Sequence, residues 1–408
     1  MSSLSLERKP AIDGNQWDSF AWLLAPLTEE NFLITSWERQ PLILHRNDPR
    51  YYELLLSYAD LDRLATSWII PAKNIRAVKG DSHLPSDAFA STDGMANMIE
   101  VMRYFDQGFT VIFDHAHRYS DSLALLCRSL NQEIGYNFQT NLYLTPSQSR
   151  GFNSHYDTHD VFVLQVHGRK KWSVYQSPIQ LPFRGQTHDS CSASRGEESL
   201  TETLEPGDLL YIPRGYFHEA GSQEDLSLHI TLGVHSETWA DVFVESVAIA
   251  CAQDPSLRKS IPARLFRSDV ARKFARARFE ELWRRMQELV DIDERIDQIV
   301  EKSAQRVLPN LTEHMLQVAA LRTLCEDSLV QARKPCSRFS ISESSVTVIA
   351  FENEIIFPLR VHDALRAVLS GQRLRVGDID CHLNDEAKTT LVRRLILEGL
   401  LHIVQNVN

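Results

Sequence analysis

The stretch NSHYDTHDVFVLQVHGRKKW, residues 153–172, joins a His-x-Asp triplet, an apolar run and a basic end. His155 and Asp157 lie two residues apart, so in an extended segment both side chains project from one face. Two ligands placed in this way can share one metal ion. The triplet alone says little, because 15 His and 54 Asp plus Glu in 408 residues give roughly two such triplets by chance, and two are present.

The residues after Asp157 set the structural context. Val161, Val163 and Gln165 alternate with further apolar residues, which predicts a strand that is buried on both faces. His155 and His159 have the i,i+4 spacing of helical zinc sites, but the segment lacks H-E-x-x-H and its surroundings favour strands. The other triplet, His235-x-Glu237, precedes a predicted helix and is interpreted as the region of its start.

A second segment, LEPGDLLYIPRGYFHEA at 204–220, supplies a third ligand. Pro206 to Asp208 predict a turn in which Gly207 takes a positive φ. A short strand follows, and after a second break the chain delivers His218. Two histidines and one carboxylate on one face of a metal leave three positions open, as in non-haem Fe(II) oxygenases. Those positions accept a bidentate 2-oxo acid and O2.

Composition excludes several classes. The net charge of −11 argues against a nucleic-acid binder that works by bare electrostatics. No 18-residue apolar run is present, so no membrane span is expected. The N-terminus lacks the apolar core of a secretory signal, and the six cysteines form no C-x-x-C pair, which predicts reduced thiols in the cytoplasm. A chain of 408 residues predicts two or three domains.

Outside the two motifs, the spacing of apolar residues predicts helices in some segments and strands in others. Residues 17–70 predict helices with short breaks. Residues 119–135 predict a further helix with Gly135 as its stop, and 109–113 predicts a strand. Short β-rich runs between 138 and 235 predict a small antiparallel barrel or sandwich. They are FQTNLYL, VFVLQV, KWSVY, LLYI and LSLHITL.

The region after the barrel is predicted to be helical up to residue 330. One long helix is expected over 271–302, with an apolar stripe that faces either the core or a second copy of the chain. The stripe consists of Phe279, Leu282, Met286, Leu289 and Ile296. Residues 332–340 suggest a linker. Beyond them a strand at 346–351, helices at 361–369 and 385–399 and a strand at 400–404 predict a winged-helix-like module, whose nearly balanced charge argues against DNA binding.

These motifs together resemble a known family. The set N-x-Y-x-T-P at 141–146, H-x-D, G-x-K-K-W and PGD-LLYIP-x-G-x-x-H is similar to the JmjC oxygenases, and most closely to the ribosomal oxygenases, which hydroxylate ribosomal-protein side chains. The segment SWERQPLILHR at 36–46 resembles the lead into that JmjC domain. The resemblance covers almost the whole chain. It implies an α+β fold: a double-stranded β-helix (cupin/JmjC) barrel, a helical dimerisation region and a C-terminal winged-helix-like domain.

The resemblance also implies roles for individual residues. His155, Asp157 and His218 are the expected Fe(II) ligands. Lys170, on the face opposite Lys171, is the expected partner of the distal carboxylate of the cosubstrate 2-oxoglutarate. Three further residues are expected to contact the cosubstrate, metal or substrate: Asn141, Tyr143 and Thr231. Gly233 stands where histidine-hydroxylating members are expected to have serine, while Asn141 and Tyr143 are usually absent from arginine-hydroxylating members.

The expected domains are 1–108 (N-terminal helical part of the JmjC region), 109–239 (barrel core), 240–335 (helical dimerisation region) and 336–408 (winged-helix-like domain). The expected function is hydroxylation of His or Arg in a ribosomal protein by a cytoplasmic homodimer, with no membrane or nucleic-acid partner. Two alternatives stay open. One is a related oxygenase acting on a peptide natural product, an RNA base or methyl-lysine; the other is a non-catalytic interaction protein with a cupin shell.

Overall fold

The computed structural model describes residues 19–67, 69–176, 179–187, 195–306, 311–333, 338–350, 353–379 and 382–404. The chain divides into two compact units, Met1–His235 and Ser236–Asn408. None of the helices in the described ranges is both long and apolar enough to cross a membrane.

The first unit combines short helices with two β-sheets. Its helices are α1 (Phe20–Leu24), α2 (Glu29–Thr35), α3 (Tyr58–Ser67), α4 (Met98–Asp106) and α5 (Asp121–Ile134). Its strands are β1 (Leu42–Leu44), β2 (Ile75–Lys79), β3 (Ser82–Leu84), β4 (Thr110–Phe113), β5 (Asn137–Thr145), β6 (Asp160–His167), β7 (Lys170–Tyr175), β8 (Glu198–Leu204), β9 (Leu209–Ile212), β10 (Phe217–Ser222) and β11 (Ser227–His235).

The two sheets of this unit are antiparallel and share a core. The larger has the order β1-β9-β6-β11-β5-β4-β2-β3, and the smaller has the order β10-β7-β8. Side chains of β6 and β9 pack against Trp172 and Val174 of β7 between the sheets. Phe20, Phe32 and Leu126 of the helices pack with other residues of the larger sheet. The larger sheet is therefore buried on both faces, as the apolar run of β6 predicts.

Several predicted elements are confirmed. The strand at 109–113, the helix that stops at Gly135 (φ +80°) and the β-rich runs of the barrel all form. The prediction that 17–70 is helical is wrong for Leu42–Leu44, which pairs with β9 as a strand. That pairing is a tertiary contact with residues 209–211, and the local sequence does not reveal it.

The PGD turn fastens this N-terminal strand to the barrel. Asp208 accepts hydrogen bonds from the backbone N–H groups of Arg46 (3.1 Å) and Glu205 (3.0 Å), and it lies 2.9 Å from Nδ1 of His45. Gly207 has φ +95°, and a Cβ there would lie 2.1 Å from the backbone oxygen of Asp48. Only glycine fits this close approach, so Gly207 is required for the turn to pack against the backbone just after the 42–46 segment.

The second unit is helical at first and mixed later. Its helices are α6 (Trp239–Gln253), α7 (Asp269–Leu289), α8 (Ile292–Arg306), α9 (His314–Ala320), α10 (His362–Val368) and α11 (Asp385–Leu397). Its strands are β12 (Leu329–Ala332), β13 (Arg338–Ile341), β14 (Ser345–Ala350), β15 (Asn353–Pro358), β16 (Leu374–Arg375) and β17 (Leu401–Ile403). They form the sheets β16-β12-β17 and β13-β14-β15, whose core includes α10 and α11.

The prediction of one helix over 271–302 is wrong. Val290 takes an extended conformation (φ −89°, ψ 112°) that ends α7. The side chain of Asp291 then accepts a hydrogen bond from the N–H of Glu294 at 3.1 Å, which caps the start of α8. The core-facing interpretation of the apolar stripe is also wrong, because Phe279 is 65% and Ile296 42% exposed.

The later predictions for this unit agree with the structure where it describes them. The helices at 361–369 and 385–399 and the closing strand form as α10, α11 and β17. The predicted strand at 346–351 forms as β14, and Phe351 lies outside the described residues. Residues 334–337 of the predicted linker also lie outside them, between β12 and β13. The division of the chain into four domains stays a prediction.

Candidate active site

The three expected metal ligands come together at one edge of the smaller sheet. The N–H of His155 donates to the carbonyl of His218 at 3.2 Å, and the N–H of His218 donates to the carbonyl of His155 at 2.8 Å. This isolated antiparallel bridge places the two imidazole rings 4.5 Å apart. Asp157 follows two residues after His155, and the ligand atoms of all three lie within 4.8 Å of one another.

Backbone contacts orient both imidazoles toward a common centre. Nδ1 of His155 lies 2.9 Å from the carbonyl oxygen of Asn153, and Nδ1 of His218 lies 3.1 Å from that of Tyr216. A proton on each Nδ1 satisfies these carbonyls and leaves each Nε2 as a free lone pair. The two Nε2 atoms lie 4.0 Å and 3.6 Å from the carboxylate oxygens of Asp157. Two nitrogens and one carboxylate oxygen thus face the same point.

The protonation states also suit metal binding. Burial, followed by the neighbouring His155, lowers the pKa of His218 to about 4, so its imidazole is neutral at pH 7. Burial would raise the pKa of Asp157, but His218, His159, His155 and Arg76 together outweigh it and the pKa is lowered. A neutral imidazole and an ionised carboxylate are the forms that bind metal.

A buried lysine lies in the same cavity as the metal cluster. Lys170 is only 3% exposed, and its Nζ donates to Oγ1 of Thr145 at 3.0 Å. Within the described part of the chain, no carboxylate lies within ion-pair distance of it. Burial lowers its pKa to about 7. The neighbouring Lys171 is exposed on the outside of the sheet, so strand alternation separates the two lysines as predicted.

The remaining predicted residues lie around this cavity on β5 and β11. Tyr143 and Thr231 line it, and Thr231 pairs with Asn141 across the two strands. Burial raises the pKa of Tyr143 to about 12 despite the nearby Arg76, so the phenol stays protonated. Asn141 Oδ1 accepts a hydrogen bond from the N–H of His115 at 3.0 Å. The sequence therefore identified side chains that the fold brings together.

The sequence did not identify three other polar residues of the site. Trp172 Nε1 and His229 Nδ1 are buried and have no hydrogen-bond partner among the described residues, and both side chains line the cavity. His229 stacks on Tyr143 with ring centres 4.7 Å apart. Arg76 donates to both carboxylate oxygens of Asp114 at 2.7 Å, and its positive charge acts to lower the pKa of Tyr143. Alternation along β7 and β11 marks Trp172 and His229 as inward-facing; nothing local marks Arg76.

An ion-pair network joins the two segments that carry the ligands. Asp160, at the start of β6, is fully buried and accepts hydrogen bonds from Tyr211 (2.8 Å) and from Nη1 of Arg214 (3.0 Å). Arg214 also contacts Glu38. Asp160 lies three residues after Asp157, and Arg214 lies four residues before His218. The network therefore ties the His-x-Asp segment to the loop that delivers the third ligand.

The residues present fit Fe(II) and 2-oxoglutarate, which are the metal and cosubstrate of this site. Two histidines and a carboxylate form the three-residue face that non-haem Fe(II) prefers. A dicarboxylate placed beside the metal would supply the anionic partner that Lys170 lacks within the described ranges. It would also bring acceptors into a cavity where the N–H of Trp172 has no acceptor from the described part of the chain.

Comparison with known proteins gives the same assignment. Residues 113–242 match the model of the JmjC domain. Ribosomal oxygenase 2 of Rattus norvegicus is 28% identical over an alignment that covers 94% of this chain and 91% of that protein. The bifunctional lysine-specific demethylase and histidyl-hydroxylase NO66 of Aedes aegypti is 31% identical, over 74% of this chain and 50% of that protein.

Solved structures show the same fold. The ribosomal oxygenase YcfD of Escherichia coli has a TM-score of 0.52 and 20% identity, over 93% of this chain and 98% of that one. A structure of YcfD in complex with cobalt and 2-oxoglutarate has a TM-score of 0.51 at 20% identity, over 93% of this chain and 99% of that one. The chain is thus a 2-oxoglutarate-dependent oxygenase with a JmjC domain, and it belongs to the ribosomal oxygenase family.

Proposed function

We propose that this protein hydroxylates a side chain of a ribosomal protein. One observation carries the proposal: a His-Asp-His cluster and a buried lysine without a carboxylate partner in the described chain share one cavity of a JmjC barrel. Relatives named ribosomal oxygenase, similar over nearly the whole chain, support the substrate class. Removal of a methyl group from lysine is the second candidate, because the similar mosquito protein is named as both a demethylase and a histidyl hydroxylase.

The proposed roles follow from the positions of the side chains. His155, Asp157 and His218 would hold the metal, and three protein ligands would leave coordination positions for the cosubstrate and O2. When bound, Fe(II) and 2-oxoglutarate use O2 to convert a substrate C–H bond to C–OH, with release of succinate and CO2. Lys170 and the donors around it orient the cosubstrate by its distal carboxylate. The barrel walls exclude water, and the protonated Tyr143 phenol donates a hydrogen bond without adding charge.

The decisive experiment is a comparison of ribosomal proteins from cells with and without this gene. We expect one protein to carry an additional 16 Da in the cells that have the gene, and the purified enzyme to add it back with Fe(II) and 2-oxoglutarate. Loss of 14 Da from a methylated lysine would instead support the demethylase. Absence of succinate formation under any of these conditions would favour the non-catalytic alternative.

We further propose that residues 240–330 form a homodimer interface. Trp239, Phe243 and Phe279 are each at least 65% exposed, and Trp283 and Met286 line an apolar depression on the same unit. Monomeric proteins rarely expose an apolar patch of this kind. A second copy of the chain would cover it, because the same patch on both partners makes a two-fold interface.

For the C-terminal part we propose a winged-helix-like domain that does not bind DNA. Helices α10 and α11 pack with the sheet β16-β12-β17 around one apolar core. Acidic and basic residues after 337 are nearly equal in number, whereas a DNA-reading surface would show a basic excess. We also propose a cytoplasmic location, which is supported by the cysteines that form no disulfide among the described residues: Cys127, Cys251 and Cys325.

A further inference from the structure

A glycine interrupts the inward face of β11 near the metal cluster. His229, Thr231 and Gly233 alternate on one face of the strand, and the first two line the cavity. Gly233 pairs with Gln139 on one side and with Val161 on the other. It lies two residues, roughly 7 Å, beyond Thr231. Lys170 lies near His229, because its charge contributes to lowering the pKa of that residue. Gly233 is therefore at the end of the strand away from Lys170.

The imidazole of His159 takes the space of the missing side chain. A Cβ at position 233 would lie 3.0 Å from both Cδ2 and Nε2 of His159. The φ of Gly233 lies outside the left-handed region, so the contact with His159, and not the backbone conformation, is what a side chain at this position would disturb. His159 also stacks on His235, with ring centres 4.6 Å apart and planes 27° from parallel. Because His159 is two residues from Asp157, this stacked pair forms a wall beside a metal ligand.

The charges around the stacked pair of His159 and His235 disfavour binding of a cationic substrate side chain. Burial, followed by His159, Arg184 and His115, lowers the pKa of His235 to about 4, and Asp157 acts in the opposite sense. Asp157 is committed to the metal. A guanidinium that entered here would lose its hydration among basic groups without gaining a free carboxylate.

An uncharged substrate side chain can form a hydrogen bond with a nearby amide. Asn141 lies on β5 opposite Thr231, and its Oδ1 is already used by the N–H of His115. The amide Nδ2 is therefore the group left to donate a hydrogen bond. A neutral imidazole nitrogen or a carboxamide oxygen can accept it, whereas a guanidinium has no acceptor.

We propose that His159 is a specificity-determining residue of this enzyme. Its ring, held over Gly233 and against His235, forms the surface on which the acceptor side chain lies. This surface admits an uncharged planar side chain, imidazole or carboxamide, in preference to a guanidinium. The inference rests on the proposed function, because it concerns the acceptor of the hydroxylation.

The acceptor class can be tested without knowing the natural substrate. Peptide pools with randomised flanks and a fixed central His, Asn, Gln, Arg or Lys are incubated with the full-length enzyme, Fe(II) and 2-oxoglutarate. We expect the His or carboxamide pools to gain 16 Da at the central residue at least tenfold faster than the Arg pool. Faster reaction of the Arg pool, or no reaction of any pool by an enzyme that forms succinate, would overturn the inference.

A double-mutant cycle tests the role of His159 itself. His159→Ala removes the ring, and Gly233→Ala displaces it with a Cβ that adds no hydroxyl, so each should lower kcat/KM for the preferred pool at least tenfold. If displacement of His159 is the cause, the double variant should be no worse than His159→Ala alone. His159→Phe, which keeps the stacking, should recover part of the loss, and Lys171→Ala serves as the control on the outer face.

Two further measurements separate this inference from a folding defect and from the proposed function. The Kd for 2-oxoglutarate of the Mn(II)-loaded variants should stay within threefold of the parent, and their melting temperatures should show that they fold. Unchanged kcat/KM in both single variants, or fully additive losses, would overturn the role of His159. If the preferred pool reacts but no ribosomal protein gains 16 Da, the proposal of a ribosomal substrate is wrong, while the proposed role of His159 is retained.

Discussion

The pKa of Lys170 makes cosubstrate binding depend on pH. Burial lowers this pKa from 10.5 to about 7 in the ligand-free protein, while the dicarboxylate requires the protonated form. Binding above pH 7 must therefore take up a proton. Well above pH 7 each further pH unit weakens binding about tenfold, and at pH 7 half of the lysine is already deprotonated. From pH 7 to pH 9 the Kd for 2-oxoglutarate should therefore rise about 50-fold, or about 2.3 kcal/mol.

Calorimetric titration of the anaerobic, Mn(II)-loaded protein with 2-oxoglutarate measures this change. Lys170→Arg is the matched control, since a guanidinium stays charged over the whole range and should give a nearly flat pH profile. Lys170→Ala leaves a buried carboxylate unpaired and should cost about 3–5 kcal/mol of binding. Lys171→Ala should change the Kd little. A wild-type Kd that does not vary with pH, or a larger loss in Lys171→Ala, would refute the assignment.

The same pKa shift predicts how the free energy of unfolding of the ligand-free protein depends on pH. Between pH 7 and 10.5 the unfolded chain binds a proton on this lysine that the folded chain does not. The free energy of unfolding therefore rises with pH in that window, and the buried charge is most destabilising below pH 7. Lys170→Met should thus raise the melting temperature at pH 6.5 and abolish stabilisation by 2-oxoglutarate.

Four other substitutions test neighbouring parts of the argument. His218→Ala should abolish turnover and sharply weaken metal binding; full activity would contradict the ligand assignment. Trp172→Phe, which removes a buried N–H, should raise the KM for 2-oxoglutarate several-fold with little change in melting temperature; an unchanged KM would exclude a role for that N–H. Asp160→Asn should lower the free energy of unfolding by about 3 kcal/mol, the low end for a broken buried pair because Glu38 still contacts Arg214; a loss below 1 kcal/mol in chemical denaturation would contradict this. Met286→Glu combined with Leu289→Glu should convert a dimer to a monomer in light scattering, and a monomeric parent at micromolar concentration would refute the interface.

The sequence predicted the features of the site that depend on local order. The His-x-Asp spacing, the PGD turn with Gly207 and the alternation that separates Lys170 from Lys171 each follow from a few consecutive residues. Features that depend on distant segments were not predictable. The contact of His159 with Gly233 and the pairing of Arg76 with Asp114 join strands that only the folded sheet brings together. The break at Val290 was missed because the Asp291 cap interrupts a helical pattern of apolar residues that continues on both sides.

The reciprocal backbone bonds between His155 and His218 have a consequence for the life of the protein in the cell. Because ordinary peptide groups hold these two ligands, the polypeptide can finish folding before it meets iron. We therefore expect that iron can bind to the folded chain and leave it again without unfolding it. After iron depletion, activity should then return on addition of Fe(II) without new protein synthesis.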